Sequence, residues 1–212
     1  QVVVRRRQPL TDAERWRVEL RRGSLIGRVG DRQLAVVGPP GRTTKTGRSL
    51  ELVDLHSGER RRFTPRPAFA DAESFTPLLD EDRLYLVVNH GHFGGYNYGD
   101  SLASTRVQGT LIAWDRATGR QLWSREISDQ NLVLDRFEES PLLLFLARNW
   151  KQVGQASYTT LKLLALDKES GATLHDSTTP AMFSGFHGVR IVGPERHVEL
   201  TAYNMRLRLQ PV

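Results

Sequence analysis

Cysteine is absent from the 212-residue chain. That absence excludes disulfide scaffolds, zinc knuckles and thiol catalysis. Long apolar runs are also missing. The longest, about Leu142 to Ala147, falls well short of the roughly 18 apolar residues that a membrane helix needs. Lysine is scarce, with 4 lysines against 26 arginines. No segment carries a strong helical period, although the charges of Pro9 to Arg22 could be read that way. There is no Gly-x-Ser-x-Gly and no His-Glu-x-x-His.

Hydrophobic residues make up 39% of the chain and charged residues 25%, the balance of a globular domain rather than a disordered one. The length suits one domain or two small ones. The net charge is +6, which bears mainly on solubility. Binding nucleic acid would require that charge to gather on one face. The basic clusters Arg5-Arg6-Arg7, Arg21-Arg22 and Arg60-Arg61-Arg62 read as solvated strand faces and an exposed tail. The chain starts at Gln1, and no charged-then-apolar signal segment is visible. The expectation is a processed chain or a piece of a longer one.

Three segments align without gaps: Leu50 to Gly58 (LELVDLHSG), Leu111 to Gly119 (LIAWDRATG) and Leu163 to Gly171 (LLALDKESG). Each is an apolar strand followed by Asp-x-x-Ser/Thr-Gly. The physics is local. The carboxylate accepts backbone N–H bonds two or three residues on, and the hydroxyl assists. Glycine takes the positive φ that closes the turn. Upstream of each lie two more strands and a short turn: Leu25–Val29 and Gln33–Val37, Phe75–Leu79 and Leu84–Val88, Leu132–Phe137 and Leu142–Leu146. Downstream of the second, Arg120–Ile127 reads as a partner strand. Each unit therefore has four strands, A to D, over 40 to 55 residues, the period of a β-propeller blade.

The expected architecture is an all-β propeller of four-stranded antiparallel blades. Blade 1 spans about 24–63, blade 2 about 75–128, blade 3 about 132–178 and blade 4 about 185–212. The last holds three strands, Gly188–Val192, His197–Ala202 and Met205–Leu209. Strand 16–20 is expected to supply its fourth and close a four-bladed ring. A segment of a larger ring is the alternative.

The stretch Gly109 to Trp123 (GTLIAWDRATGRQLW) closely resembles the repeat of the PQQ-like propellers, G-x-L-x-A-x-D-x-x-T-G-x-x-x-W. The other two units keep Asp and Gly but carry Arg62 and His175 in place of the tryptophan. The family includes quinoprotein dehydrogenases and non-enzymatic scaffolds of the bacterial envelope. No motif here matches the enzymes' calcium ligands or quinone platform, and there is no vicinal cysteine pair. The resemblance thus implies the non-catalytic branch, with no cofactor, and a periplasmic or secreted location.

Propeller topology would put A–B and C–D turns on one face and B–C loops on the other. Loops that vary over a rigid scaffold commonly carry binding. The first, Gly38–Arg48, offers Arg42 and Lys45 but lacks a P-loop's Gly-Lys-Ser/Thr ending. The second, Asn89–Ser101, holds His90, His92, Tyr96 and Tyr98. Its two histidines with Asp100 could share a metal only if three ligands converge, and an aromatic contact loop is the blander reading. The third, Arg148–Tyr158, holds Arg148, Trp150 and Lys151. Together these nine residues would form an aromatic and basic rim for a protein, peptide or glycan partner. Other readings are an enzyme with its site in the central funnel, and arginine-driven polyanion or nucleic-acid binding. The acidic stretches Asp71-Ala72-Glu73 and Asp80-Glu81-Asp82 read as solvated turns.

Overall fold

The computed structural model describes residues 2–7, 14–39, 48–66, 72–90, 102–153, 156–180, 186–202 and 205–210. The protein is all-β, built of antiparallel sheets, and no helix occurs among the described residues. No helix there is long and apolar enough to cross a membrane. The chain forms two compact units. One comprises Gln1–Gly91 and Gly109–Ser124, the other His92–Gln108 and Arg125–Val212.

In the first unit, β1 (Val2–Arg7) and β2 (Glu14–Leu20) form a two-stranded ribbon. A four-stranded meander follows: β3 (Leu25–Val29), β4 (Gln33–Val37), β5 (Leu50–Asp54) and β6 (Arg60–Phe63). Next come β7 (Ser74–Leu79) and β8 (Arg83–Asn89), then β9 (Ser104–Asp115) and β10 (Gln121–Val133). The last two are long strands that begin in one unit and end in the other. The second unit continues with β11 (Leu142–Val153), β12 (Ala156–Asp167) and β13 (Thr173–Pro180). A three-stranded sheet ends the chain: β14 (Phe186–Val192), β15 (His197–Ala202) and β16 (Met205–Leu209). Strands β7 to β13 follow one another in a single seven-stranded order. Sequence pattern separates a strand ending near Ile127 from one starting at Leu132. In the structure β10 runs through both, with Asp129 at φ +48.

The Asp-x-x-Ser/Thr-Gly turns form as local chemistry requires. The Asp54 carboxylate accepts the His56 and Ser57 N–H groups, each at 2.7 Å. Asp115 accepts the Thr118 N–H and hydroxyl, and Asp167 those of Ser170, all at 2.6 to 2.7 Å. Gly58, Gly119 and Gly171 hold φ of +79, +74 and +69 and donate to the carbonyls of those aspartates. The residue after each aspartate donates to the A–B turn of its own sheet: Leu55 to Arg32, Arg116 to Asp82, Lys168 to Pro141. Within each run of four strands, β3 to β6, β7 to β10 and β10 to β13, both kinds of turn thus lie at the same end.

These hydrogen bonds have a pH signature. The Ser57 and His56 N–H groups hold the Asp54 carboxyl below its ordinary value. The Thr118 hydroxyl and N–H do the same for Asp115. A carboxyl depressed in the folded state contributes stability above its unfolded pKa and loses it as pH falls through the folded value. Acidification below about pH 4 is therefore expected to destabilise the wild type more than the Asp54→Asn/Asp115→Asn variant. Urea midpoints at neutral and acid pH measure this. Equal losses in the two proteins would refute it.

Each unit has its own core. Alternating β4 and β5 residues Ala35, Val37, Leu50 and Leu52, with Phe63, pack against Leu84, Leu86, Val88, Ile112 and Trp114 of β8 and β9. In the second unit, alternating residues of β11 and β12 pack against Phe186, Val189, Val198 and Leu200 of β14 and β15. The first meander buries its opposite face as well. There Leu34, Val36 and Val53 meet Val4, Trp16, Val18 and Leu20 of the ribbon.

That packing corrects one expectation. Strand 16–20 does not extend the last sheet. It pairs with β1, Val18 opposite Val4 and Leu20 opposite Val2. The reason is non-local: three alternating apolar residues of β2 find their cover on the first meander. Trp16 lies against Gly58, where a Cβ would sit 2.7 Å from the indole. Arg6, expected in a solvated tail, donates to the His56 carbonyl at 2.9 Å.

Candidate functional site

The rim residues fall into three groups. Arg42, Lys45, His92, Tyr96 and Tyr98 lie outside the described residues, as does Asp100. His90 directly follows β8 and is half-buried. Its ring is seated against Gly109, where a Cβ would lie 2.5 Å from His90 Cδ2. Arg148, Trp150 and Lys151 belong to β11.

The third group corrects the sequence reading. Arg148 to Tyr158 is a paired hairpin rather than an open loop. Arg148 lies opposite Leu161, Trp150 opposite Thr159 and Lys151 opposite Tyr158, with only residues 154 and 155 between the strands. Arg148 is half-buried, and Trp150 and Lys151 are described by backbone alone. Tyr158, Thr159 and Thr160 suit a strand, and that propensity is a signal the sequence does carry. The long polar stretch before them masks it.

The opposite end of the first meander holds a small polar notch of about 180 Å³. Gln33, Leu52, Asp54, Glu59, Arg61 and Arg116 line it. Its residues are largely engaged in the fold. Asp54 is committed to its turn. Arg61 donates to the Arg116 carbonyl and, at 3.1 Å, to that of Ala117. The notch is a seam between two turns, smaller than the roughly 300 Å³ at which ligand pockets begin.

Two further carboxylates, those of Asp80 and Glu51, are similarly engaged. Asp80 is buried, accepts the Asp82 and Arg83 N–H groups, and takes the Tyr85 hydroxyl at 3.2 Å. It is a turn residue, but not a solvated one. Burial, reinforced by the Asp80 charge, pushes the Tyr85 phenol well above its ordinary range. Glu51 is buried on the ribbon-facing side of the first meander and takes Arg60 and Arg62. Burial pushes its carboxyl up, but these two guanidinium groups outweigh that and hold it below its ordinary value. Among the described residues, no three His, Asp or Glu side chains are grouped to hold a metal.

No protein-family model matches the chain, and no curated protein does. The likeness to the PQQ-like repeat therefore rests on the motif residues themselves.

Proposed function

We propose that the chain is a non-catalytic binding or scaffold module of the PQQ-like propeller type, its meanders serving as blades. Its partner would be a protein or peptide, with a glycan as the other class the rim could take. A bacterial envelope or secreted setting follows from the same likeness.

One observation carries this reading. At one end of each run of four strands the Asp-x-x-Ser/Thr-Gly turns are alike, five residues each, and each is hydrogen-bonded to the turn beside it. At the other end the connections differ: twelve residues between β4 and β5, fourteen between β8 and β9, two between β11 and β12. Uniform turns hold a scaffold; unequal connections on a rigid scaffold are where recognition is usually placed. The engagement of Asp54, Asp80 and Asp115 in turns weighs against using them as acids or bases in a funnel site.

The test is a pulldown from native extract read by mass spectrometry. Wild type is compared with a His92→Ala/Tyr96→Ala/Tyr98→Ala variant of equal thermal stability. His90 is kept because it is packed against Gly109. A partner held by the wild type and lost by the variant is expected. Identical partners for both proteins would overturn the rim and turn attention to a metabolite screen.

A further inference from the structure

The positive charge of this chain is not evenly spread. The first unit carries 19 basic and 13 acidic residues, a net +6; the second carries 11 of each, a net of zero. Within the first unit, residues 1–66 hold 16 basic against 7 acidic residues, and 15 of the 16 are arginine. These residues comprise the β1–β2 ribbon and the first meander.

Strand alternation sorts the ribbon's two faces. Val4, Trp16, Val18 and Leu20 face the meander. Arg5, Arg15 and Arg17 are exposed, as are Arg21 and Arg22 just beyond β2. Arg5 lies directly opposite Arg17 in the ladder. Like charges in that position destabilise a strand pair. Arg17 reaches Glu19 at 2.7 Å, whereas Arg5 and Arg15 form no ion pair among the described residues. The fold thus tolerates a repulsive cross-strand pair on a surface that its core does not require to be charged.

We propose that the outer face of the β1–β2 ribbon is a docking surface for the phosphate backbone of double-stranded nucleic acid, read without regard to sequence. Three features select this partner. Arginine's planar fork matches phosphate oxygens bidentately. The ribbon is an extended two-stranded face with guanidinium groups on both strands, suited to a linear array of charges. Among the ribbon residues whose side chains are described, Val3 is the one exposed large apolar side chain, too little to enter a lipid surface. The surface uses none of the rim residues, so this proposal stands apart from the rim reading.

The experiment is fluorescence anisotropy of a short mixed-sequence DNA duplex across a salt series, with the full chain. The Arg5→Gln/Arg15→Gln/Arg17→Gln variant is compared with wild type and with Arg190→Gln, an exposed arginine of the second unit. Wild-type affinity should fall at least tenfold between roughly 50 and 200 mM salt. The triple variant should bind at least tenfold more weakly, with a log–log salt slope shallower by roughly 2.7, about 0.9 for each phosphate no longer neutralised. Its thermal midpoint should match or exceed the wild type's, because the Arg5–Arg17 repulsion is gone; this separates lost binding from lost folding. Arg190→Gln should bind as wild type does. Equal affinity and slope for triple variant and wild type would overturn the proposal. So would an equal loss in Arg190→Gln, or binding confined to a sulfated glycan or to anionic vesicles.

Discussion

Replacing Gly109 by alanine is expected to be among the most damaging single-methyl changes in this protein. Gly109 pairs with Asn89 in the β8–β9 ladder, and its neighbour Thr110 pairs with Val88. It holds φ +147, a conformation L residues rarely adopt. A Cβ would lie 2.4 Å from the Val88 carbonyl oxygen and 2.5 Å from His90 Cδ2. The histidine ring could swing away, but the carbonyl belongs to the strand next door and cannot retreat without disturbing the ladder. Backbone strain of about 1–3 kcal/mol and overpacking of a similar size sum to roughly 3–5 kcal/mol. That is a large share of the roughly 5–15 kcal/mol by which domains are stable. Gly30→Ala is the control: it too has positive φ, +56, but nothing stands within 4 Å of the added methyl. Urea unfolding of both variants decides the matter. If Gly109→Ala loses no more stability than Gly30→Ala, the close approach to Val88 is not what glycine is needed for.

Trp114→Ala should cost about as much, by the opposite mechanism. Trp114 is fully buried and meets Phe63 edge-on, with ring centroids 5.9 Å apart at 68°. It lies in the cluster joining the first meander to β8 and β9, with Leu52, Leu84 and Leu86 as fellow members. Removing a buried indole leaves a cavity, and such truncations cost roughly 3–5 kcal/mol. The indole N–H has no hydrogen-bond partner in this core. A buried unpaired donor carries a penalty of about 1–3 kcal/mol. Trp114→Phe loses area but also removes that donor, so it should cost less than half as much as Trp114→Ala. Chemical denaturation of the two variants measures the ratio. Equal costs would refute this account, because phenylalanine keeps most of the volume that alanine removes.

Most of the strands are legible in the sequence because their signals are local. Leu25–Val29, Gln33–Val37, His197–Ala202 and Met205–Leu209 occur with the boundaries that alternation and turn residues suggest. The Asp54, Asp115 and Asp167 turns are legible for the same reason: donor, acceptor and glycine lie within five residues of one another. The candidate site is less so. His90 follows β8 where expected, but its seat on Gly109 joins residues nineteen apart in sequence, and no spacing rule reports a Cβ-sized gap. The polar composition of residues 148–158 suggests a loop, while backbone pairing across a two-residue connection makes a hairpin.

The ribbon marks the boundary between the two kinds of information. By itself the sequence determined that this chain is all-β, that Trp16 to Leu20 is a strand, and that Arg5, Arg6 and Arg7 form a charged cluster. Those properties follow from alternation, propensity and composition, which act over a few residues. Only the tertiary structure decided that β2 pairs with Val2–Arg7 and packs on Leu34, Val36 and Val53. It alone turned Arg6 inward to the His56 carbonyl and set Arg5 beside Arg17 on the outside. Several buried faces compete for an apolar strand, and the winner is set by complementary surfaces far apart in the chain, which local pattern does not encode.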